Sequence, residues 1–168
     1  MKSLILLVFL AAVTSYAQWN NVYSPQTEGD LSFASAKGTA NFIDNSSNCY
    51  VTGYANVYSW SRKDIVTIKY RPDGTKAWVR RFDLAGRNDE GMFIELDRSG
   101  NVYVIGTGRA AGIIAITHIL VIKYSSDGTL AWSRQLIASG TLGFGYNKPC
   151  DAVMHNGPIT SNLYIVGS

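Results

Sequence analysis

Two cysteines, two histidines and four prolines occur among the 168 residues, and these low counts exclude several kinds of protein. One bridge cannot hold together a chain of this length, so the chain is not a disulfide scaffold. An oxidising compartment would still permit a bridge between Cys49 and Cys150. Neither histidine lies at ligand spacing from either cysteine, which argues against a zinc site.

Charged residues are also few, at 16%, and the formal net charge is only +3. No basic stripe of the kind that binds a nucleic-acid backbone is present, so no nucleic-acid partner is predicted. The segment GTGRAAG (106–112) has too little helical pattern after it for a dinucleotide loop. The turn at 97–101 lacks the alternating carboxylates of a calcium loop. The sequence therefore predicts no cofactor and no metal.

Long hydrophobic runs are missing as well. A membrane-spanning helix needs about 20 apolar residues, and the stretch at 110–124, which comes closest, is interrupted by His118 and Lys123. The N-terminus is apolar only from Leu4 to Val13, which is too short to span. This run follows Lys2 and precedes the small-residue site Ser15-Tyr16-Ala17, so residues 1–17 are predicted to be a signal peptide, cleaved after Ala17. The location predicted is therefore secreted or at the cell surface.

Aromatic residues, at 12%, and 16 glycines are what the chain does have. Aromatic and β-branched residues separated by glycine-containing turns are typical of an all-β protein. The phrase IKYRPDGTKAW (68–78) recurs as IKYSSDGTLAW (122–132), a shift of 54 residues. A second phrase recurs as NCYVTG (48–53), NVYVIG (101–106) and NLYIVG (162–167), and the chain therefore contains an internal repeat.

Each repeat reads as four short strands joined by tight turns. Four antiparallel strands repeated about every 54 residues are close to the blade repeats of β-propellers. An ordinary β-sandwich is the alternative, but the recurrence of the same residues in register argues against chance similarity. Residues 18–168 are thus predicted to form an incomplete propeller. Its blade units cover roughly 31–83 and 91–137, with a half blade at 151–168.

These phrases resemble the bacterial SBBP repeat, named for the seven-bladed β-propeller. The first phrase of that repeat is matched by Asp97, Gly100, Asn101, Val102, Tyr103, Val104 and Gly106, the second by Asp64, Thr67, Lys69 and Tyr70, and the third by Gly74 and Trp78. His118 departs from the pattern, because it stands where the other copy has Asp64. The resemblance implies an exported bacterial propeller protein and says little about activity.

The last phrase, NLYIVG, corresponds to only the second strand of a unit. Propellers close with about four to eight blades, and open repeats leave edges and faces exposed. The sequence is therefore expected to be a piece of a longer protein. Its missing blades would come from a longer chain or from self-association.

Two groups of residues stand out as candidates for special roles. Trp19, Trp78 and Trp132 recur at one position of the repeat, and with Gly74 and Gly128 of the turns they are predicted to be structural anchors. The loop NVYSWSRK (56–63) carries Tyr58, Trp60 and Arg62. Aromatic and arginine side chains on a loop are what interfaces favour, so these three are predicted to form a contact loop.

Catalytic residues are not evident from the pattern. His118 reads as a polar residue at the beginning of a strand, and the acidic residues between 89 and 97 form no acid/base pair that spacing alone can establish. The sequence therefore favours a non-catalytic binding or structural module whose ligand is a protein or a carbohydrate. The alternative is an extracellular propeller enzyme of the polysaccharide lyase, glycosidase or quinoprotein type.

Overall fold

The computed structural model describes residues 33–57, 62–84, 87–109, 117–136 and 147–167. These residues form ten β-strands and no helix, which confirms the all-β prediction. Accordingly, nothing in these ranges is a helix with the length and hydropathy to cross a membrane. The predicted signal peptide and Trp19 lie outside the described residues.

The strands pair into three antiparallel sheets that follow one another along the chain. The first sheet has the order β1 (Phe33–Ile43), β2 (Cys49–Val57), β3 (Arg62–Tyr70), β4 (Lys76–Phe82). The second sheet has the order β5 (Glu90–Leu96), β6 (Val102–Arg109), β7 (Thr117–Tyr124), β8 (Leu130–Leu136). The third sheet contains β9 (Pro149–Asn156) and β10 (Ser161–Gly167). The ranges that the structure describes do not close into a ring, so the propeller remains a proposal.

The Asp-Gly-Thr phrase forms the turn between the third and fourth strands of each four-stranded sheet. In the first sheet the Asp73 carboxylate accepts hydrogen bonds from the backbone N–H and the hydroxyl of Thr75, at 2.9 and 2.7 Å. Gly74 then adopts a φ of 82°, and Gly128 of the second sheet adopts 84°. Left-handed backbone of this kind favours glycine. The turn therefore repeats because the same side chain and the same glycine fix the same geometry.

A second kind of turn joins the first two strands of each four-stranded sheet. The Asp97 carboxylate accepts hydrogen bonds from the backbone N–H of Ser99 and from both the backbone and side-chain nitrogens of Asn101, at 2.8 to 3.0 Å. Asp44 forms the equivalent set at 44–48. Burial alone would raise the pKa of Asp97, but these hydrogen bonds and nearby Lys123 outweigh it and hold the pKa below its usual range. The carboxylates therefore shape the turns.

Hydrophobic side chains fill two interfaces between the sheets. The first sheet contributes Tyr50, Ile65 and Trp78 to one buried cluster that also includes Val104, Ile122 and other residues of the second sheet. The opposite face of the second sheet contributes Ile105 and Val121 to a cluster with Ala152 of the third sheet. The second sheet therefore lies between the other two, and because it is covered on both faces, β7 is almost continuously apolar.

Trp78 lies in the interface between the first two sheets. Its ring centroid is 6.2 Å from that of Tyr50 in its own sheet and 6.2 Å from that of Tyr124 in the next sheet. Its indole N–H donates to the carbonyl oxygen of Ser126 at 3.3 Å, and Arg80 Nε donates to that of Gly128 at 2.6 Å. The Asp-Gly-Thr turn of the second sheet thus packs against the fourth strand of the first sheet.

We expect Gly128→Ala to destabilise the fold more than Gly100→Ala. Both glycines have positive φ, at 84° and 75°, and a left-handed alanine costs about 1 to 2 kcal/mol. A Cβ on Gly128 would also lie 2.9 Å from Trp78 Cδ2, whereas one on Gly100 would meet only Ser126 Cβ at 3.6 Å. Overpacking adds about 1 to 3 kcal/mol. Urea denaturation of the two variants measures the difference, and equal losses would mean that the turn does not dock tightly against Trp78.

Candidate functional site

A polar cleft lies at the end of the sheets where β3 begins. Its volume is about 210 Å³, and its walls are formed by Lys63, Asn88, Glu90, Thr107, Arg109 and Thr117. Val57 and Arg62, on either side of the central residues of the predicted contact loop, pair with each other at the end of β2 and the beginning of β3. Tyr58 and Trp60 of that loop lie outside the described residues, and Arg62, the first residue of β3, is half-buried directly before Lys63.

Four strand ends, the beginnings of β3, β5 and β7 and the end of β6, bring the walls of the cleft together. The backbone N–H of Asp89 donates to the carbonyl oxygen of Lys63 at 2.8 Å, and the Asn88 side chain accepts from the Lys63 N–H at 3.1 Å. These contacts fix the approach to β5 beside the beginning of β3. Pairing within the second sheet then places Thr107 opposite Glu90, and Thr117 opposite Arg109. The cleft is therefore built from residues that are far apart in the chain.

Lys63 and Glu90 form an ion pair across the cleft. Lys63 Nζ lies 3.1 Å from Glu90 Oε2, and both side chains are about one-third exposed, at 32% and 33%. The ammonium also lies 3.9 Å from the centroid of the Tyr54 ring, which is a cation–π distance. Burial alone would lower the pKa of Lys63, but the Glu90 carboxylate and Tyr54 outweigh this and raise it. Lys63 therefore stays charged at neutral pH.

Asp89 lies beneath the cleft and is fully buried. Its carboxylate accepts hydrogen bonds from the backbone N–H groups of Leu84, at 2.5 Å, and Arg109, at 3.4 Å. Burial raises the pKa of Asp89 to about 7, although these two hydrogen bonds oppose the shift, and the nearby Asp83 and Asp64 carboxylates add to it. Asp89 thus links the segment after β4 to the end of β6.

The four acidic residues between 89 and 97 do not converge. Asp89 and Glu90 lie at the cleft end of β5, whereas Glu95 and Asp97 lie at its other end. Sequence spacing alone could not separate them. Nor did it identify Asp89 as the buried member of the group, since its partners at 84 and 109 are backbone groups with no side-chain signal.

The first repeat has Asp64 where the second has His118, and the residue that each of them contacts also differs between the repeats. Asp64 is buried and its Oδ2 lies 2.5 Å from Arg81 Nε. At the same positions of the second sheet, His118 Nδ1 lies 2.8 Å from Gln135 Oε1. An ion pair in one sheet is thus replaced by a hydrogen-bonded pair in the next. Arg81 and Gln135 are equivalent positions of the repeat, as are Asp64 and His118. Comparing both positions between the repeats would have indicated this pairing from the sequence.

The predicted anchors lie at the other end of the strands. Trp78 is buried between sheets, while Trp132 is half-buried with its ring centroid 6.0 Å from that of Tyr103. Gly74 and Gly128 are the buried residues of their turns. Trp78, Gly74 and Gly128 therefore lie at the opposite end of the strands from the cleft.

Both cysteines are free thiols. Cys49 begins β2 and is half-buried, and Cys150 is exposed on β9 in another sheet. Burial raises the pKa of the Cys49 thiol, which makes it less reactive. The bridge that an oxidising compartment would permit is thus not formed in this structure.

A second cavity, of about 470 Å³, lies among the turns at the opposite end of the sheets. Its charged lining residues are Asp44, Asp97 and Arg98. The two carboxylates are engaged within their own turns, and Arg98 donates to the carbonyl oxygens of Pro158 at 3.0 Å and Asn156 at 3.3 Å. These contacts join the second and third sheets. The smaller cleft is therefore the better candidate for binding.

The cleft suits a ligand that both donates and accepts hydrogen bonds. It presents ammonium and guanidinium donors, two threonine hydroxyls, an amide and a carboxylate. Among the residues that the structure describes, no group of three or more histidine, cysteine or acidic side chains is arranged to hold a metal ion.

No protein-family model matches this chain, and no curated protein matches it significantly.

Proposed function

We propose that this chain is a secreted or cell-surface β-propeller repeat module, similar to the SBBP repeat, with a non-catalytic binding or structural role. The repeated four-stranded sheets and their antiparallel order support the architecture. The charged, apolar and small-residue regions of residues 1–17 support export. Further blades would come from additional repeats or from self-association, because a propeller closes with about four to eight.

The observation that carries the binding role is the polar cleft at the beginning of β3. Its Lys63–Glu90 pair is only partly exposed, and the Lys63 backbone is held by hydrogen bonds to the Asp89 N–H and to the Asn88 side chain, next to Glu90 in the chain. Groups held in this way are preorganised, and a ligand therefore loses less free energy to their ordering. The predicted contact residues Tyr58 and Trp60 precede Lys63 by only a few positions in the sequence.

The size and chemistry of the cleft favour a small hydroxyl-rich group. Its volume of about 210 Å³ is below the roughly 300 to 1,000 Å³ of pockets that enclose drug-sized ligands. One sugar unit of a longer carbohydrate, or one polar side chain of a protein, fits this description. We propose carbohydrate as the first candidate because the cleft combines hydrogen-bond donors and acceptors, and sugar hydroxyls both donate and accept.

The test uses protein exported by a bacterial host from the full sequence. The mature protein is expected to begin at Gln18, which N-terminal sequencing detects. Saturation-transfer NMR against a panel of neutral and acidic oligosaccharides is then expected to find a ligand. Lys63→Ala should weaken binding of that ligand by about tenfold or more, equivalent to about 1.4 kcal/mol.

Lys148→Ala is the matched control, because it removes the same charge from an exposed position outside the cleft. Equal effects of the two variants, or no binding to any oligosaccharide or candidate protein, would contradict the proposal. Mass spectrometry of the recovered oligosaccharide separates the alternative: an intact ligand supports a binding module, and a shortened one supports an enzyme.

A further inference from the structure

The walls of the polar cleft carry more positive than negative charge. Lys63 and Arg109 are its two cations, and Glu90 is the one carboxylate among the lining residues that the structure describes. The other walls are uncharged and are formed by Asn88, Thr107 and Thr117. Because a guanidinium keeps its proton at every physiological pH, the lining holds one positive charge in excess. A neutral sugar unit would leave that charge without a counterpart in the ligand.

The charges are distributed between two ends of the cleft. Pairing within the second sheet sets Glu90 opposite Thr107, and Arg109 follows Thr107 by two residues, on the same face of β6. Two residues of a strand span about 7 Å, which is comparable with the width of one sugar ring. A single sugar unit can therefore contact the Glu90 end with one edge and the Arg109 end with the other.

The Glu90 end is close to neutral because its two charges pair with each other. Lys63 Nζ lies 3.1 Å from Glu90 Oε2 and 3.9 Å from the centroid of the Tyr54 ring. A carboxylate accepts several hydrogen bonds and an ammonium donates three, so this paired end can still bind hydroxyl groups. Among the described lining residues, the excess positive charge is thus that of Arg109.

A buried carboxylate lies next to the Arg109 backbone. Asp89 accepts a hydrogen bond from the Arg109 N–H at 3.4 Å. Burial raises the pKa of Asp89 to about 7, against the opposing effect of this hydrogen bond and the one from Leu84. In weakly acidic solution Asp89 is therefore largely protonated and does not offset the charge of the guanidinium.

We propose that the sugar unit bound in the cleft carries a carboxylate, as a uronic acid does, and that Arg109 selects it. A guanidinium binds a carboxylate through two parallel, charge-assisted hydrogen bonds. The hydroxyl groups of the same ring would then bind Glu90 and Lys63. The reverse orientation is disfavoured, because it would place the ligand carboxylate beside that of Glu90. This inference rests on the carbohydrate binding proposed above and adds the charge and the orientation of the ligand.

The test compares each acidic oligosaccharide with a neutral form of itself. Oligosaccharides of galacturonate, glucuronate and mannuronate are used as isolated and after chemical reduction of their carboxylates to alcohols. Calorimetric titration of the full chain at about pH 6, below the pKa of Asp89, is expected to find an acidic oligosaccharide that binds about tenfold or more tightly than its reduced form.

Arg109→Gln should reduce this preference to about twofold or less, whereas Arg109→Lys, which keeps the charge but not the planar fork, should retain part of it. The backbone N–H that binds Asp89 is present in both variants. Arg71→Gln is the matched control, because it removes the same charge from an exposed turn at the other end of β3. It should leave the preference unchanged.

Equal binding of the acidic and reduced forms, or binding of neutral oligosaccharides alone, would overturn this inference and leave the carbohydrate proposal intact. A full preference in Arg109→Gln would overturn the role of Arg109. If no oligosaccharide binds in either form, carbohydrate binding itself fails. The comparison of ligands uses the unmodified chain, so it decides the charge of the ligand even if a variant does not fold.

Discussion

Replacing Trp78 with alanine is expected to lower the free energy of unfolding by about 3 to 5 kcal/mol, the usual cost of removing a large buried aromatic side chain. Trp78 is 8% exposed and contacts aromatic rings in both of the sheets it joins. The Ser126 carbonyl oxygen also loses the indole N–H as its donor, which leaves that turn without one of its contacts to the first sheet. Urea denaturation followed by circular dichroism measures the loss.

Trp132→Ala is the matched control for Trp78→Ala. Trp132 occupies the equivalent position of the second sheet, but it is half-buried and contacts Tyr103 of its own sheet. We expect Trp132→Ala to lower the free energy of unfolding by about half as much as Trp78→Ala or less, because the loss grows with the buried surface that the truncation removes. Equal losses in the two variants would show that the contact with the following turn adds nothing to the stability of Trp78.

The all-β class and the turns were predictable from sequence because they depend on local patterns. The Asp-Gly-Thr turn needs only a carboxylate two residues before an N–H and a glycine with positive φ. Asp73 and Asp127 supply the carboxylates, and Gly74 and Gly128 supply the positive φ. Strand identity follows equally from short runs of aromatic and β-branched residues. Repetition then strengthened each of these predictions, since the same phrase indicates the same element twice.

The polar cleft could not be predicted in the same way. Lys63 and Glu90 are 27 residues apart, and they meet only because the segment before β5 returns to the beginning of β3. Each hydrogen bond that holds this segment has a backbone group as at least one partner, so the residue types alone do not identify both partners. Of the residues that line the cleft, only Lys63 lies in the loop that the sequence singled out, and the contact role of Tyr58, Trp60 and Arg62 stays a prediction.

The stability of the protein is expected to fall as the pH rises from about 4 to about 7, and Asp89 is the main reason. Burial raises the pKa of Asp89 to about 7 in the folded state, from an ordinary value of 3.8. Between these values the folded state holds a proton that the unfolded state has lost. Stability therefore decreases with pH across this window and levels off above it. The difference corresponds to about 4 kcal/mol at most.

Asp89→Asn removes this dependence, because an amide keeps a hydrogen-bond acceptor for the Leu84 N–H without a buried charge. Urea denaturation at about pH 5 and about pH 8 should show a smaller difference for the variant than for the unmodified chain. Asp64 and Glu95, whose pKa values burial also raises, add slopes of the same sign in both proteins.

Asp73→Asn serves as the control for Asp89→Asn. The pKa of Asp73 is lowered by its hydrogen bonds to Thr75, so its contribution is lost only below its ordinary value of 3.8, and the slope above about pH 5 should be unchanged. If Asp89→Asn and Asp73→Asn leave the same pH dependence, Asp89 is ionised in the folded state throughout. The carboxylate beneath the cleft would then add a negative charge to the surroundings of Lys63 and Arg109 at every pH above about 5, and the cleft would favour cationic rather than neutral ligands.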